Sequence, residues 1–201
     1  MIYLISGFIL LSFSFFTAVA KPTGKVIGHD YSFDEEYSSE EDLRYSKKEI
    51  ETLGIMLKKL GVNFDSYSAL TTFNGRSVMP DFRGRDKKFS HYRTRIRDMM
   101  KISPNFGQKY SLIRIGCGSG CSTLYVGDHS NGRIYQFPRG AEENLVISVY
   151  GRVDSNLLII RWFKASDVHE GISCFWEAFE WRNNKAQIIR QMNIKDFEIC
   201  V

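Results

Sequence analysis

PNFGQKYSLIRIGCGSGCSTLYVGDHSNGRIYQFP, residues 104–138, decides how the rest of the chain is read. Pro104 closes the segment before it, because the residue preceding a proline avoids the helical region. From Lys109 the pattern turns strand-like: Ile113 and Ile115 alternate with Leu112 and Arg114. Residues 122–127 and 133–137 continue it, flanking the loop Asp128-His129-Ser130-Asn131-Gly132. Asn-Gly suits the positive backbone angles of a tight hairpin turn, so these two runs are expected to pair directly.

Further along, residues 145–150 and 157–163 are strand-like and are joined by the turn-like GRVDSN of 151–156. Residues 173–181 and 186–192 flank Arg182-Asn183-Asn184-Lys185, another hairpin signal, and a short last strand is expected to hold Phe197 and Ile199. Toward the N-terminus, a helix is expected over about 88–101, with Phe89, Tyr92, Ile96 and Met99 or Met100 on its buried face. Residues 62–86 read as loop, pinned to the core by Phe64, Tyr67, Phe73 and Phe82. A first helix is announced by Ser46-Lys47-Lys48-Glu49, a capping box with Ser46 as N-cap and Glu49 at N3. Ile50, Leu53, Leu57 and Leu60 then form one apolar stripe, and Gly61 is the expected C-cap. The fold class is therefore α+β: two N-terminal helices followed by a mostly antiparallel β-sheet of about six or seven strands.

Residues 1–20 read as a cleavable secretory signal peptide. They carry no charged side chain, hold a dense apolar run over 5–16, and end in Ala18-Val19-Ala20, the small-x-small pattern of a cleavage site. The run is shorter than the about 20 apolar residues that a membrane span needs. The n-region lacks Lys and Arg, which leaves an uncleaved anchor as the alternative; no Cys near the cleavage point supports a lipid anchor. Residues 21–45 are expected to be a flexible acidic arm, and 46–201 a single α+β domain. Seven acids and no base fall in residues 30–42, whereas residues 76–101 hold nine bases against three acids. Solvated faces explain both blocks, and so does charge-based recognition; neither implies nucleic acid.

The four cysteines are Cys117, Cys121, Cys174 and Cys200. An exported chain meets an oxidising compartment, where an even number suggests disulfides. The favoured pairing is Cys117–Cys121 with Cys174–Cys200. Bridging the first pair requires the strand from Tyr110 to turn sharply at 116–120, because four extended steps of about 3.3 Å would hold the two ends too far apart.

Pro104, Asn105, Phe106, Gly107, Tyr110, the run 116–121, Asp128, Gly132, Tyr135 and Pro138 together resemble a family of uncharacterised exported bacterial proteins. Its members show PNF, a glycine, a Tyr-led strand, GCGxGC, a strand ending in Asp, a Gly turn, and a strand ending in Tyr-x-x-Pro. Residues 155–158 resemble the family's later strand. The likeness covers about a quarter of the chain well. It implies export and a fold; it brings no activity and no site residue.

The run 116–121 is the most informative local motif. Its three glycines admit backbone angles closed to other residues and allow close approach of another group. A tight loop clipped by a disulfide is the structural reading; a backbone nest for an anion, with Arg114 and Ser119 as binding candidates, is the functional one. The run lacks the Gly-Lys-Ser/Thr of a P-loop and the G-x-S-x-G of a nucleophile elbow. Its cysteine spacing fits neither a zinc finger nor a C-x-x-C redox pair. His29, His91, His129 and His169 are scattered and read as ordinary surface residues, although with Glu177 or Asp128 they offer an acid–base set. Trp162, Trp176 and Trp181, with Phe175 and Phe179, read mainly as sheet core. Trp176 and Trp181 are also candidates for a partner surface, with one sheet face under a helix and the other partly exposed.

No catalytic residue, metal ligand or cofactor is expected from this pattern. The leading expectation is a periplasmic or secreted, non-enzymatic protein-binding module, of the inhibitor or immunity kind. It would have a protein partner, no nucleic acid, and no membrane span once the signal is cleaved. The alternative is an exported hydrolase or cell-wall-modifying enzyme with its site at the GCGSGC loop. A secreted eukaryotic-style factor is disfavoured because no N-x-S/T site occurs.

Overall fold

A computed structural model describes residues 26–29, 46–118, 121–164 and 174–195. Among these, the first element is a strand, β1 (Val26–His29), within the segment expected to be an arm. The helix α1 (Lys47–Leu60) follows. The helix α2 (Arg93–Lys101) comes after two 3-10 turns at Phe64–Tyr67 and Lys87–Tyr92. The remaining strands are β2 (Tyr110–Gly118), β3 (Cys121–Asp128), β4 (Ile134–Gly140), β5 (Asn144–Arg152), β6 (Leu157–Lys164), β7 (Cys174–Arg182) and β8 (Lys185–Ile194). The class is α+β and every strand pairing is antiparallel. Two points correct the sequence expectation. The helices do not open the fold, since β1 precedes them, and the strands form two sheets instead of one: β1-β5-β6-β7-β8 and β2-β3-β4.

Local chemistry sets the helix ends. Ser46 Oγ accepts from the Glu49 N–H, and a Glu49 carboxylate oxygen accepts from the Ser46 N–H, which satisfies two otherwise orphaned donors. Gly61 ends α1 at φ 68°, a left-handed angle that glycine adopts without penalty. The buried stripe of α1 is Leu53, Met56 and Leu60, with Leu57 partly covered; Ile50, expected on that stripe, is 58% exposed. The second helix is shorter than its periodicity suggested. No side chain caps its start, and residues 87–92 wind as 3-10 turns before the α-helix begins.

The sheets stack face to face, with one helix outside each, giving four layers from three cores. The outer face of the five-stranded sheet meets α1 through Tyr150, Leu157, Ile159, Trp176 and Ala178. Its inner face, with Val149, Leu158, Ile160, Trp162, Phe179 and Trp181, packs on Leu112, Leu124, Val126 and Phe137 of the smaller sheet. That sheet's far face, with Ile113, Tyr125 and Ile134, is covered by Phe82, Phe89, Ile96, Met99 and Met100. The strand β6 is buried on both faces, which is why it reads as a mostly apolar run, broken by the buried Arg161, instead of alternating. The face of β7 expected to be partly exposed is instead covered by the second sheet.

The two hairpin turns differ. Asn183 and Asn184 both have positive φ, 52° and 60°, as a two-residue type I′ turn requires. The Asn131-Gly132 turn is not of that kind, because only Gly132 has positive φ. It is built around the Asp128 carboxylate, which accepts from the Ser130 N–H and from the Asn131 side-chain amide. The expected last strand at Phe197 and Ile199 lies outside the described residues.

Candidate functional site

The end of the β2–β3 hairpin is the feature the sequence singled out, and its geometry can be built from the register. Arg114 pairs with Leu124 and Gly116 with Ser122, after which the register shifts and Gly118 faces Cys121. Cys117 is thus the bulged residue, and Gly118 follows at φ 130°. This bulge draws Cys117 toward Cys121, bringing their α-carbons within 5.2 Å, and the two are disulfide-bonded. The sequence expectation of a sharp turn over 116–120 placed the end of the strand too early: β2 persists to Gly118. Ser119, a binding candidate, and Gly120 lie outside the described residues.

The two sides of this tip have opposite environments. Cys121, Ser122 and Thr123 are buried, because β4 returns alongside them; a Cβ on Gly140 would sit 2.6 Å from the Ser122 carbonyl oxygen. On the edge strand, Gly116, Cys117 and Gly118 are exposed. A Cβ built on Gly116 or Gly118 meets nothing within 4 Å. Gly118 needs glycine for its backbone angle. Gly116 needs it neither for backbone nor for space, so nothing among the described residues accounts for its missing side chain. Arg114 lies at the base of the tip, where its Nε donates to Ser122 Oγ at 3.0 Å.

The tryptophan candidates fall inside. Trp176 is fully buried, stacked on Tyr150 with ring centroids 5.8 Å apart and with the Arg161 guanidinium over its ring, 5.6 Å from the centroid. It has no surface to offer a partner, because α1 covers that face of the sheet. Trp181 is 3% exposed and packs edge-on against Tyr110 and Tyr135 between the sheets. Cys174 is fully buried and disulfide-bonded; Cys200, its expected partner, lies outside the described residues.

His129 corrects the surface reading of the histidines. It is fully buried, with Nδ1 2.7 Å from Ser77 Oγ and Nε2 2.7 Å from Ser111 Oγ. Ser111 Oγ also donates to the Met99 carbonyl, so a neutral ring with the proton on Nε2 satisfies the whole chain of bonds. Burial holds the His129 pKa below the ordinary histidine value, against the pull of the Asp128 charge. Asp128 does not orient this ring: its oxygens accept from Ser130, Asn131 and Lys109. The Ser77–His129–Ser111 chain therefore ties the long loop to the sheet and lacks the carboxylate that a nucleophilic triad places on the second ring nitrogen. No signal in the sequence separated His129 from its three counterparts.

Other motif residues have architectural roles. Asn105 Oδ1 accepts from the Leu112 N–H at 2.8 Å, occupying one donor on the open edge of β2. Gly107 and Gln108, at φ 51° and 62°, turn the chain so that the Tyr110 N–H returns to the Phe106 carbonyl. Glu177, raised above as an acid–base partner, is fully buried in a bidentate pair with Arg139 at 2.6 and 2.8 Å, and it accepts from Trp162 Nε1 at 2.8 Å. Among the described residues no three His, Cys, Asp or Glu side chains converge as a metal site, and no helix is long and apolar enough to cross a membrane.

The outer layer around α2 carries the basic block. Its acids are engaged: Asp86 is buried against Arg85, Asp98 pairs with Lys101, and Asp81 accepts from the backbone of residues 83–85. The backbone bonds from Gly84 and Arg83 keep the Asp81 carboxyl below its ordinary pKa. Arg83, Lys87, Lys88, Arg93 and Arg97 are exposed. The fold and tip thus define a four-layer α+β protein with a disulfide-clipped edge, bare at Gly116 and Gly118, and a basic outer helix. Comparison with protein-family models, with curated proteins and with solved structures finds no match.

Proposed function

We propose that this chain is an exported, non-enzymatic protein-binding module that docks through the disulfide-clipped β2–β3 tip. The observation that carries the reading is Gly116: exposed, with ordinary backbone angles and open space at its Cβ position, it keeps one side of a covalently fixed edge bare. A bare, rigid edge lets another backbone approach closely and loses little entropy on binding. The basic layer of α2, which packs on the same sheet, suits a partner with an acidic face and would speed its encounter. The disulfide fits an oxidising compartment, and the signal-like residues 1–20 give the route there. The resemblance to exported bacterial proteins belongs to the same proposal.

Purified mature protein immobilised over an extract of exported proteins from its source tests this. Wild type is expected to retain one stoichiometric partner, released by raised salt, and Gly116→Arg is expected to lose it while melting at the same temperature. Equal retention by Gly116→Arg, or no retained protein, overturns the reading. Intact mass of the exported chain is expected to begin at Lys21, and a mature chain that keeps Met1 overturns the route.

A further inference from the structure

Away from the tip, a cleft of about 520 Å³ opens between the loop after Phe64–Tyr67, the turn before β2, and the β7–β8 hairpin. That volume lies within the roughly 300–1,000 Å³ of small-ligand sites. Its lining includes Lys109, Tyr110, Asn156, Trp181, Arg182 and Asn184. The charged members are already matched. Lys109 Nζ lies 3.2 Å from Asp128, and Arg182 donates twice to Glu180 Oε1, at 2.7 and 3.0 Å. The unmatched groups are neutral. Among the described residues Asn156 makes hydrogen bonds through its backbone only, which leaves its side-chain amide available. Asn184 accepts from the Tyr110 hydroxyl at 3.1 Å through Oδ1, and its Nδ2 has no partner among the described residues. Trp181 Nε1 is buried without an acceptor among those residues, so its indole N–H is a sensitive reporter beside the cleft and not a contact for a ligand.

We propose that this cleft binds a neutral, hydroxyl-rich ligand, a saccharide, through the side-chain amides of Asn156 and Asn184. An amide carries donors and an acceptor in one plane and can engage neighbouring hydroxyls, whereas an ionic ligand would find no uncompensated charge here. The site is preorganised. Asn184 is fixed at φ 60° in its two-residue turn and tied to Tyr110. Gly107 leaves room for Asn156, because a Cβ there would come within 2.9 Å of Asn156 Oδ1.

Titration of ¹⁵N-labelled protein with N-acetylglucosamine, glucose and chitotriose tests the proposal, followed through the Trp181 indole N–H resonance, which Trp181→Phe identifies. Saturable movement of that resonance is expected. Asn184→Gly keeps the positive φ and removes the amide; it and Asn156→Ala are each expected to weaken binding about tenfold, the worth of one hydrogen bond, with Asn156→Ala melting at the wild-type temperature and Asn184→Gly, which also loses the bond from Tyr110, slightly below it. Affinity that rises from the single sugar to chitotriose assigns the site to a glycan chain; equal affinity assigns it to a free sugar, and both outcomes support the site. No saturable movement with any of the three probes, or titrations unchanged in both variants, overturns it. The tip variant Gly116→Arg leaves this cleft intact, so the two sites fail or stand separately.

Discussion

Arg139→Met removes the cation that holds Glu177 inside the sandwich, and its cost follows from the geometry. Glu177 has no solvent exposure, and Arg139 retains 20%. Among the described residues, two of the three hydrogen bonds to the carboxylate come from Arg139, at 2.6 and 2.8 Å, and the third comes from Trp162 Nε1. The guanidinium also lies 5.0 Å from the Trp162 ring and 5.8 Å from that of Phe179, so it joins β4 of one sheet to β6 and β7 of the other. Methionine fills much of the arginine stem but leaves a buried carboxylate with one bond and no counter-ion. Breaking a buried pair from one side costs about 3–5 kcal/mol, against about 0–1 kcal/mol for a surface pair. Urea unfolding at neutral pH, followed by tryptophan fluorescence, reads the difference as a shift in midpoint at constant slope. In the double variant Arg139→Met/Glu177→Gln the buried charge is gone and the glutamine oxygen still accepts from Trp162. That variant is expected to lie within about 2 kcal/mol of wild type, above the Arg139→Met single variant. A loss below about 1 kcal/mol for Arg139→Met, or strict additivity of the two substitutions, refutes the reasoning.

Further expectations rest on individual residues. His129 resists protonation when folded, whereas the unfolded chain takes up that proton near pH 6.5. The unfolded state therefore binds more protons below that pH, so stability is complete above it and falls as the pH drops; His129→Asn should flatten the slope of unfolding free energy between pH 7 and 5, and an unaltered slope counts against the assignment. Gly54→Ala, in the interior of α1 with nothing within 4 Å of the added Cβ, should raise stability by about 0.5–1 kcal/mol. Gly140→Ala should lower it by at least about 1–3 kcal/mol, since it combines φ 118° with a Cβ 2.6 Å from a backbone oxygen. Thermal melts giving both glycine variants the same sign would sink that contrast. Non-reducing peptide mapping should link Cys117 to Cys121, and Cys117→Ser should cost no more than about 2 kcal/mol because the closed loop is short. It should cost less than Cys174→Ser, and a Cys117–Cys174 or Cys117–Cys200 peptide contradicts the assignment.

Elements whose information is local were legible in the chain. Ser46 and Glu49 are three residues apart and satisfy each other's backbone, so the start of α1 needs no distant partner. Asn183-Asn184 marks a hairpin because asparagine tolerates left-handed angles in sequence-adjacent positions. The Cys117–Cys121 bridge was inferable for the same reason, with only three residues between the sulfurs.

Tertiary structure decided everything that depends on which apolar face meets which. Strand periodicity says that β2 and β6 each have two faces; it does not say that Leu112 and Leu158 share one core while Ile113 turns to α2 and Ile159 to α1. Hydrophobic burial is non-directional, so one pattern of alternation serves a single sheet or two stacked sheets equally. The same holds for the site residues. Trp176 and Trp181 look alike in sequence, yet one is sealed beneath α1 and the other forms part of a cleft built from segments far apart in the chain. His129 lies in a polar turn by sequence, and it is buried because the loop carrying Ser77, fifty-two residues earlier, folds across it.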